Sequence, residues 1–94
     1  MRFEWDPAKA AANRIKHRIG FELASRVWDD PLHVIVPDRH VDGEERWHAI
    51  GVVGGVALIV VVHTHPHGDH GLVRIIGARK ATRNERARYE DEAL

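Results

Sequence analysis

The strongest constraint on the fold is a run of apolar residues in the middle of the chain. Residues 56–64 read VALIVVVHT, and they follow the pair Gly54-Gly55. A strand that is buried on one face alternates apolar and polar residues, whereas this run is apolar at consecutive positions, so both of its faces need cover. Paired glycines are typical of a tight hairpin turn. We therefore predict a central strand that is entered from a hairpin and has a helix across one side.

The segments on either side predict one α+β domain over residues 1–94. Asp6-Pro7 is a helix start, and the helix carries an apolar stripe. Thr82 and Glu85 form a capping box that opens a final helix of about ten residues. The stripe consists of Ala8, Ala11, Ala12, Ile15 and Ile19. Four further strands are predicted, at 2–5, 33–37, 46–53 and 72–78. A short helix is predicted at 21–28, and polar turns are predicted at 38–45 and 66–71. The predicted order is β-α-α-β-β-β-β-α, an antiparallel sheet packed against helices.

Composition and charge narrow the class of protein. The chain has 94 residues, of which 44% are hydrophobic and 30% charged, and it has no cysteine. This favours a globular domain in a reducing compartment. No signal peptide is visible and no apolar run is long enough to span a membrane, so we expect a cytoplasmic protein. Residues 29–45 hold six acids against one arginine, and residues 71–89 hold six bases against one glutamate. The basic segment indicates a surface that faces a polyanion, although two solvated faces of opposite charge would give the same counts.

A histidine-rich loop raises the alternative of a small zinc hydrolase. Residues 64–70 read THPHGDH, which matches the T-H-x-H-x-D-H spelling of metallo-β-lactamase-fold hydrolases. A catalytic zinc site needs at least three protein ligands, and the later ligands of that pattern come from sequence beyond the motif. All eight histidines lie at or before His70. We therefore predict a turn without a catalytic metal and no cofactor, although His65, His67, Asp69 and His70 could take up Zn²⁺ or Ni²⁺ incidentally.

Three segments resemble the BrnT-type toxins. Residues 3–31 share the F-E-W-D opening of these toxins, together with Asn13 and Lys16-His17. Residues 45–51, ERWHAIG, resemble their E-R-x-x-x-x-G strand. Residues 73–90 resemble their closing segment, which begins R-I-I-S-A-R. Gly77 stands where those toxins usually have serine, and the histidine-rich loop is absent from their pattern.

The resemblance implies a toxin of a type II toxin–antitoxin system. Its expected fold is RelE-like, and its expected activity is metal-independent endoribonucleolytic cleavage of RNA that inhibits translation. The implied partners are the RNA substrate, a BrnA-like antitoxin with a DNA-binding domain, and promoter DNA bound through the toxin–antitoxin complex. No membrane partner is implied.

The chemistry of metal-free RNA cleavage indicates which residues to consider. It needs a base for the 2′-hydroxyl and cations for the phosphorane, and histidine and arginine suit these tasks. His17 is the favoured base, with His48 and Glu22 as alternatives; His17 could instead serve the dipole of its helix. The predicted catalytic residues are His17, Arg46, Arg74 and Arg79, and the predicted substrate-binding residues are Lys16, Lys80 and Arg83. Arg74 is the most notable of these, because it interrupts an apolar strand.

One further alternative needs no catalysis. The basic segment alone could serve a nucleic-acid-binding or regulatory module. The formal net charge of zero argues against a free-standing DNA-binding domain, which would usually be strongly basic.

Overall fold

The predicted order of elements is confirmed. The computed structural model describes residues 1–41 and 43–93 of the chain. The strands are β1 (Arg2–Glu4), β2 (Val34–Val41), β3 (Glu44–Val53), β4 (Ala57–Thr64) and β5 (Leu72–Lys80); the helices are α1 (Pro7–His17), α2 (Phe21–Ser25) and α3 (Arg83–Ala93). Two 3-10 turns complete the order, at Arg26–Asp29 and Pro66–Gly68. No helix among these residues is long and apolar enough to cross a membrane.

The five strands form one sheet in the order β1-β5-β4-β3-β2. The run from β2 to β5 is the predicted antiparallel meander, and β4 is its central strand. β1 departs from the expected antiparallel sheet, because it pairs with β5 in parallel. The sheet is therefore mixed. A three-residue strand carries no sequence signal for its direction, which is set by the path of the chain into α1.

Both faces of β4 are buried, as the apolar run predicts. α1, α2 and the 3-10 turn at Arg26–Asp29 cover one face, where the larger core cluster includes Phe21, Val61 and Ile75. α3 covers one end of the opposite face, above a smaller cluster of Ile50, Leu58 and Val60. The uncovered remainder of that second face is the part of the sheet that is free to meet a ligand.

The predicted apolar stripe of α1 is confirmed only at Ile19, which is buried in the core but lies beyond the end of the helix; the other four positions, Ala8, Ala11, Ala12 and Ile15, are exposed. Ile15 is 83% exposed, and the partly buried positions of the helix are Ala10, Asn13 and His17. The Asn13 side chain donates to the carbonyls of Ala78 and Ile19 and accepts from the Ala78 N–H. β1 ends at Glu4, so this stretch of β5 has no neighbouring strand at its edge. The need to satisfy that edge places a polar side chain, rather than Ile15, against the sheet.

The predicted turns have mixed outcomes. Gly54 and Gly55 form the expected hairpin turn, and both have positive φ, at +66° and +70°. The polar turn predicted at 38–45 is much shorter, because β2 runs to Val41 and β3 starts at Glu44; Asp42 lies outside the described residues. A register irregularity between Pro37 and His40 accommodates the proline within this hairpin. The capping box of α3 is confirmed by reciprocal hydrogen bonds between Thr82 and Glu85.

Candidate active site

Strand register collects five polar residues on the second face of the sheet. Thr64 on β4 lies opposite Arg74 on β5, and Val60 lies opposite Arg79. On β3, His48 lies opposite Val62, and Arg46 is two residues before it on the same face. We call this surface, which carries Arg46, His48, Thr64, Arg74 and Arg79, the arginine face. The opposite surface is the α1–α2 face.

His48 lies between two carboxylates. Its Nε2 is 3.2 Å from Asp38 Oδ2, and its Nδ1 is 3.9 Å from Glu85 Oε2. Asp38 is contributed by β2 and Glu85 by the first turn of α3. The His48 side chain is about one-fifth exposed, so it is supported by the protein and still reachable from solvent. This is the arrangement that holds an imidazole in one orientation for proton transfer.

Arg79 is bound to the same glutamate. Its two terminal nitrogens donate to the two oxygens of Glu85, at 2.6 Å and 2.8 Å. Mainly because of this bond to Arg79, and despite partial burial, the pKa of Glu85 is lowered to about 2. The same bond raises the pKa of Arg79. Asp38, His48, Glu85 and Arg79 therefore form a chain of charged and polar groups across three strands and a helix.

Arg46 and Thr64 contribute polar atoms without partners. The Nε of Arg46 and the Oγ1 of Thr64 are buried and make no hydrogen bond within residues 1–41 and 43–93. Continuing the register of Trp47 with His63 by one residue brings Arg46 opposite Thr64. An unpartnered buried donor costs roughly 1–3 kcal/mol. An oxyanion bound here would accept from both groups.

Arg74 forms an ion pair with Glu4 of β1. Its Nε donates to Glu4 Oε2 at 2.7 Å, and its Nη2 lies 2.6 Å from the same oxygen. Both side chains are between two-fifths and one-half exposed. The charge inside an otherwise apolar strand is thus accommodated by a partner and by solvent together. Arg74 shares the arginine face with Arg46, although Glu4 already engages its guanidinium.

The other predicted site residues lie apart from this group. Lys16 and His17 line a groove beside α1 together with Lys9, Asn13 and Ile76. None of the arginines of the arginine face lines this groove. Lys80 lies opposite Ile59, at an α1–α2 face position, and is exposed. Arg83 is the exposed first residue of α3, and Glu22 is exposed on α2. The structure therefore brings Arg46, Arg74, Arg79 and the alternative base His48 together, but not His17.

The histidine-rich loop lies on the α1–α2 side of the sheet. His63, the second-last residue of β4, stacks edge-on against Trp28. The rings of His65 and His70 lie 4.2 Å apart. Within the described residues, no group of three or more His, Asp or Glu side chains is arranged to hold a metal ion.

Three residues of the site are missing from the sequence-based set. The sequence predicts a turn for Asp38, a strand end for Thr64 and a helix cap for Glu85. The capping box correctly predicts that Glu85 lies in the first turn of α3. It does not predict that Glu85 contacts Arg79 and His48. The proximity of residues 38, 48 and 85 depends on strand register, which the local pattern does not contain.

Comparison with known proteins identifies the family. The model of the family "Ribonuclease toxin, BrnT, of type II toxin-antitoxin system" matches residues 5–85. Among solved structures, the 1.1 Å crystal structure of the Brucella abortus ribonuclease toxin, BrnT, is similar with a TM-score of 0.68 and 25% identity, over 88% of this chain and 99% of that one. No curated protein matches the chain.

The fold and this match define the class as a ribonuclease toxin of a type II toxin–antitoxin system. Within that class, the chain belongs to the BrnT family. The resemblance seen in residues 3–31, 45–51 and 73–90 is thereby confirmed. An endoribonuclease, rather than a non-catalytic module or a zinc hydrolase, is the activity that the family supports, and a cognate antitoxin is the partner that it implies.

Proposed function

We propose that the arginine face is the ribonuclease active site and that His48 is its acid–base group. The supporting observation is the position of His48 between Asp38 and Glu85, on the strand that also carries the unpartnered Nε of Arg46. The proton-transfer group and an oxyanion donor are thus two residues apart on one strand face. Such neighbouring positions are roughly 7 Å apart along a strand, a distance that one phosphodiester can bridge.

Asp38 sets which nitrogen of His48 acts as the base. A carboxylate accepts hydrogen bonds, so Asp38 favours the tautomer that carries its proton on Nε2. Nδ1 is then the free base, and it removes the proton of the 2′-hydroxyl. The 2′-oxygen attacks phosphorus, the bond from phosphorus to the 5′-oxygen breaks, and the 5′-oxygen takes a proton from the imidazolium or from water. The products are a 2′,3′-cyclic phosphate and a 5′-hydroxyl, and no metal takes part.

The cations of the face stabilise the phosphorane. Arg46 Nε and Thr64 Oγ1 would donate to its oxygens, which gives both orphaned groups a partner. Arg79, held by Glu85, and Arg74, held by Glu4, add positive charge on either side. Lys80 and Arg83 are exposed near the junction of β5 and α3 and would bind the RNA backbone. Lys16 would bind RNA that extends past β5 to α1.

His17 is the second candidate for the base, and a matched pair of variants separates the two. RNA is incubated with purified protein in excess EDTA, and cleavage rates and product ends are measured. His48→Gln should lower the rate by about 10²–10⁴-fold, as expected on loss of an acid–base group, while His17→Gln should leave it within a few-fold. The opposite result would assign the base to His17.

Arg46 provides the second arm of the same experiment. Arg46→Lys keeps the charge but loses the Nε donor, so cleavage should fall by about ten- to thousand-fold. Products with a 3′-phosphate formed without a cyclic intermediate, or cleavage abolished by EDTA, would contradict the proposed reaction.

The antitoxin is proposed to cover the basic segment at residues 71–89. A toxic ribonuclease needs its arginines masked, and an acidic or amphipathic peptide is complementary to this charge. We propose that the antitoxin is BrnA-like, that its DNA-binding domain takes the complex to promoter DNA, and that both proteins act in the cytoplasm. Copurification of the chain with the product of a neighbouring gene tests this. A partner without a DNA-binding half would contradict it.

A further inference from the structure

A cleft on the α1–α2 side of the sheet is not used by the proposed reaction. It has a volume of about 570 Å³, and Phe3, Trp28, Asp29, His33, His63 and His65 are among its lining residues. Trp28 makes edge-to-face contacts with Phe3 at 5.2 Å and with His63 at 4.9 Å. We call it the Trp28 cleft. Its aromatic lining distinguishes it from the charged arginine face on the other side of the sheet.

His63 supplies a buried acceptor to this cleft. Its side chain is fully buried, and burial lowers its pKa to about 4, so it is neutral near pH 7. Its Nδ1 lies 3.2 Å from the Val61 carbonyl oxygen. Because a carbonyl only accepts, Nδ1 must carry the proton, and Nε2 is left with a lone pair. Nε2 is buried and has no partner among the described residues, which is a cost that a bound N–H donor would remove.

His65 repeats the arrangement at the rim of the cleft. Its Nδ1 lies 2.9 Å from the Leu72 carbonyl oxygen, which only accepts, so Nδ1 carries a proton and the acceptor atom of this tautomer is Nε2. The rings of His63 and His65 lie 5.2 Å apart. The Nε2 atoms of His63 and His65 are thus two acceptors beside the ring of Trp28. A planar group with several N–H donors would be complementary to this arrangement.

The charges around the cleft favour a cation over a nucleotide. The exposed Asp29 lines the cleft. An adjoining cleft shares His65 and is lined by Glu44 and Glu45. The nearby Arg2 is engaged by Asp69 at 3.2 Å. These carboxylates would repel a phosphate and attract a cation.

We propose that the Trp28 cleft binds an arginine side chain of a partner polypeptide. The guanidinium would lie against the Trp28 ring, donate to the Nε2 atoms of His63 and His65, and form an ion pair with Asp29. A lysine ammonium would match the charge but not the planar set of donors. The site is separate from the arginine face, so it would let a partner bind while the ribonuclease site remains open.

The test uses the full-length chain and three probes. These are a blocked Gly-Arg-Gly peptide, its citrulline counterpart, which is neutral but nearly the same shape, and adenosine monophosphate. Binding is followed by the imidazole resonances of His63 in ¹H–¹⁵N spectra and by tryptophan fluorescence. The arginine peptide should shift the His63 resonances and bind at least about ten-fold more tightly than the citrulline peptide, because charge and donors both contribute. Equal binding of the two peptides, preferred binding of the nucleotide, or no response to the arginine peptide would overturn the proposal.

Two variants keep this result distinct from the ribonuclease assignment. Asp29→Asn changes an exposed side chain, so the melting temperature and RNA cleavage should be unchanged, while the arginine peptide should bind at least about five-fold more weakly. His48→Gln should abolish cleavage and leave peptide binding intact. If Asp29→Asn binds the peptide as the parent does, Asp29 is not the counter-ion and the cleft is not the site.

Discussion

The side chain of Asn13 on α1 pairs with the backbone of Ala78 on β5 as a neighbouring strand would. Its Nδ2 donates to the Ala78 carbonyl at 2.9 Å, and its Oδ1 accepts from the Ala78 N–H at 3.1 Å. β1 is too short to pair with this stretch of β5. One amide thus joins the first helix to the edge of the sheet and satisfies backbone groups that would otherwise lack partners.

Asn13→Ala should therefore destabilise the protein far more than an apolar truncation nearby. It leaves the Ala78 N–H and carbonyl unpaired in a partly buried site, which should lower the free energy of unfolding by about 2–3 kcal/mol. Ile15→Ala is the matched control, because Ile15 is 83% exposed on the same helix and should cost less than about 0.5 kcal/mol. Urea denaturation of both variants measures the difference. A larger loss for Ile15→Ala would contradict this account of α1.

This pair also shows where the sequence was informative and where it was not. The start of α1, the two-faced β4 and the capping box of α3 depend on nearby residues, and all three were predicted. The buried side of α1 depends on an edge of β5 that lies 65 residues further along the chain. Helical spacing selected Ile15, whereas tertiary hydrogen bonding selected Asn13. Local patterns cannot predict that outcome.

The residues of the candidate site also fall into two groups, those that the sequence indicates and those that only the folded structure brings together. Residue chemistry indicates Arg46, Arg74 and Arg79, and it makes His48 one of the alternative bases. The sequence favours His17 as the base because it lies at a helix end beside Lys16, and the structure places it in a different groove. Asp38 and Glu85 lie 10 and 37 positions from His48 in sequence, so only the folded sheet and α3 bring the three together.

Arg74 gives a test that separates stability from catalysis. Arg74→Lys keeps a cation beside Glu4 but loses the planar fork, so cleavage should fall by about ten- to thousand-fold if the guanidinium contacts phosphate. The ion pair is partly exposed, so its loss should cost less than about 1 kcal/mol of stability. Glu4→Gln is the control, because it removes the partner and keeps the guanidinium. An active but unstable Arg74→Lys protein would make the residue purely structural.

Stability should decline on acidification because of His63. Its pKa is lowered from 6.5 in the unfolded chain to about 4 in the fold, mainly by burial. Between these values the unfolded chain binds a proton that the fold does not. The stability that neutral His63 contributes is therefore fully present above pH 6.5 and is lost as pH falls through 4, by about 3 kcal/mol in total.

Denaturation curves from pH 8 to pH 4.5 measure this loss. His63→Leu should remove most of this slope, whereas His67→Ala, at an exposed position, should keep it. A parent protein whose stability is flat over the range would show that His63 is protonated in the fold.

The histidine-rich loop should be dispensable for cleavage. The side chains of His65, His67 and His70 lie on the α1–α2 side, away from the arginine face, and the described residues contain no group of three ligands arranged for a metal. Replacing all three by alanine should leave RNA cleavage in excess EDTA within a few-fold of the parent, because none of the three histidines belongs to the proposed phosphate site or is the proposed base. Cleavage is measured alongside the melting temperature, since His65 also bonds the Leu72 carbonyl oxygen and its loss should lower stability by about 1 kcal/mol. A parent enzyme that loses activity in EDTA and regains it with zinc, beside a triple variant that zinc cannot rescue, would reinstate the loop as a metal site.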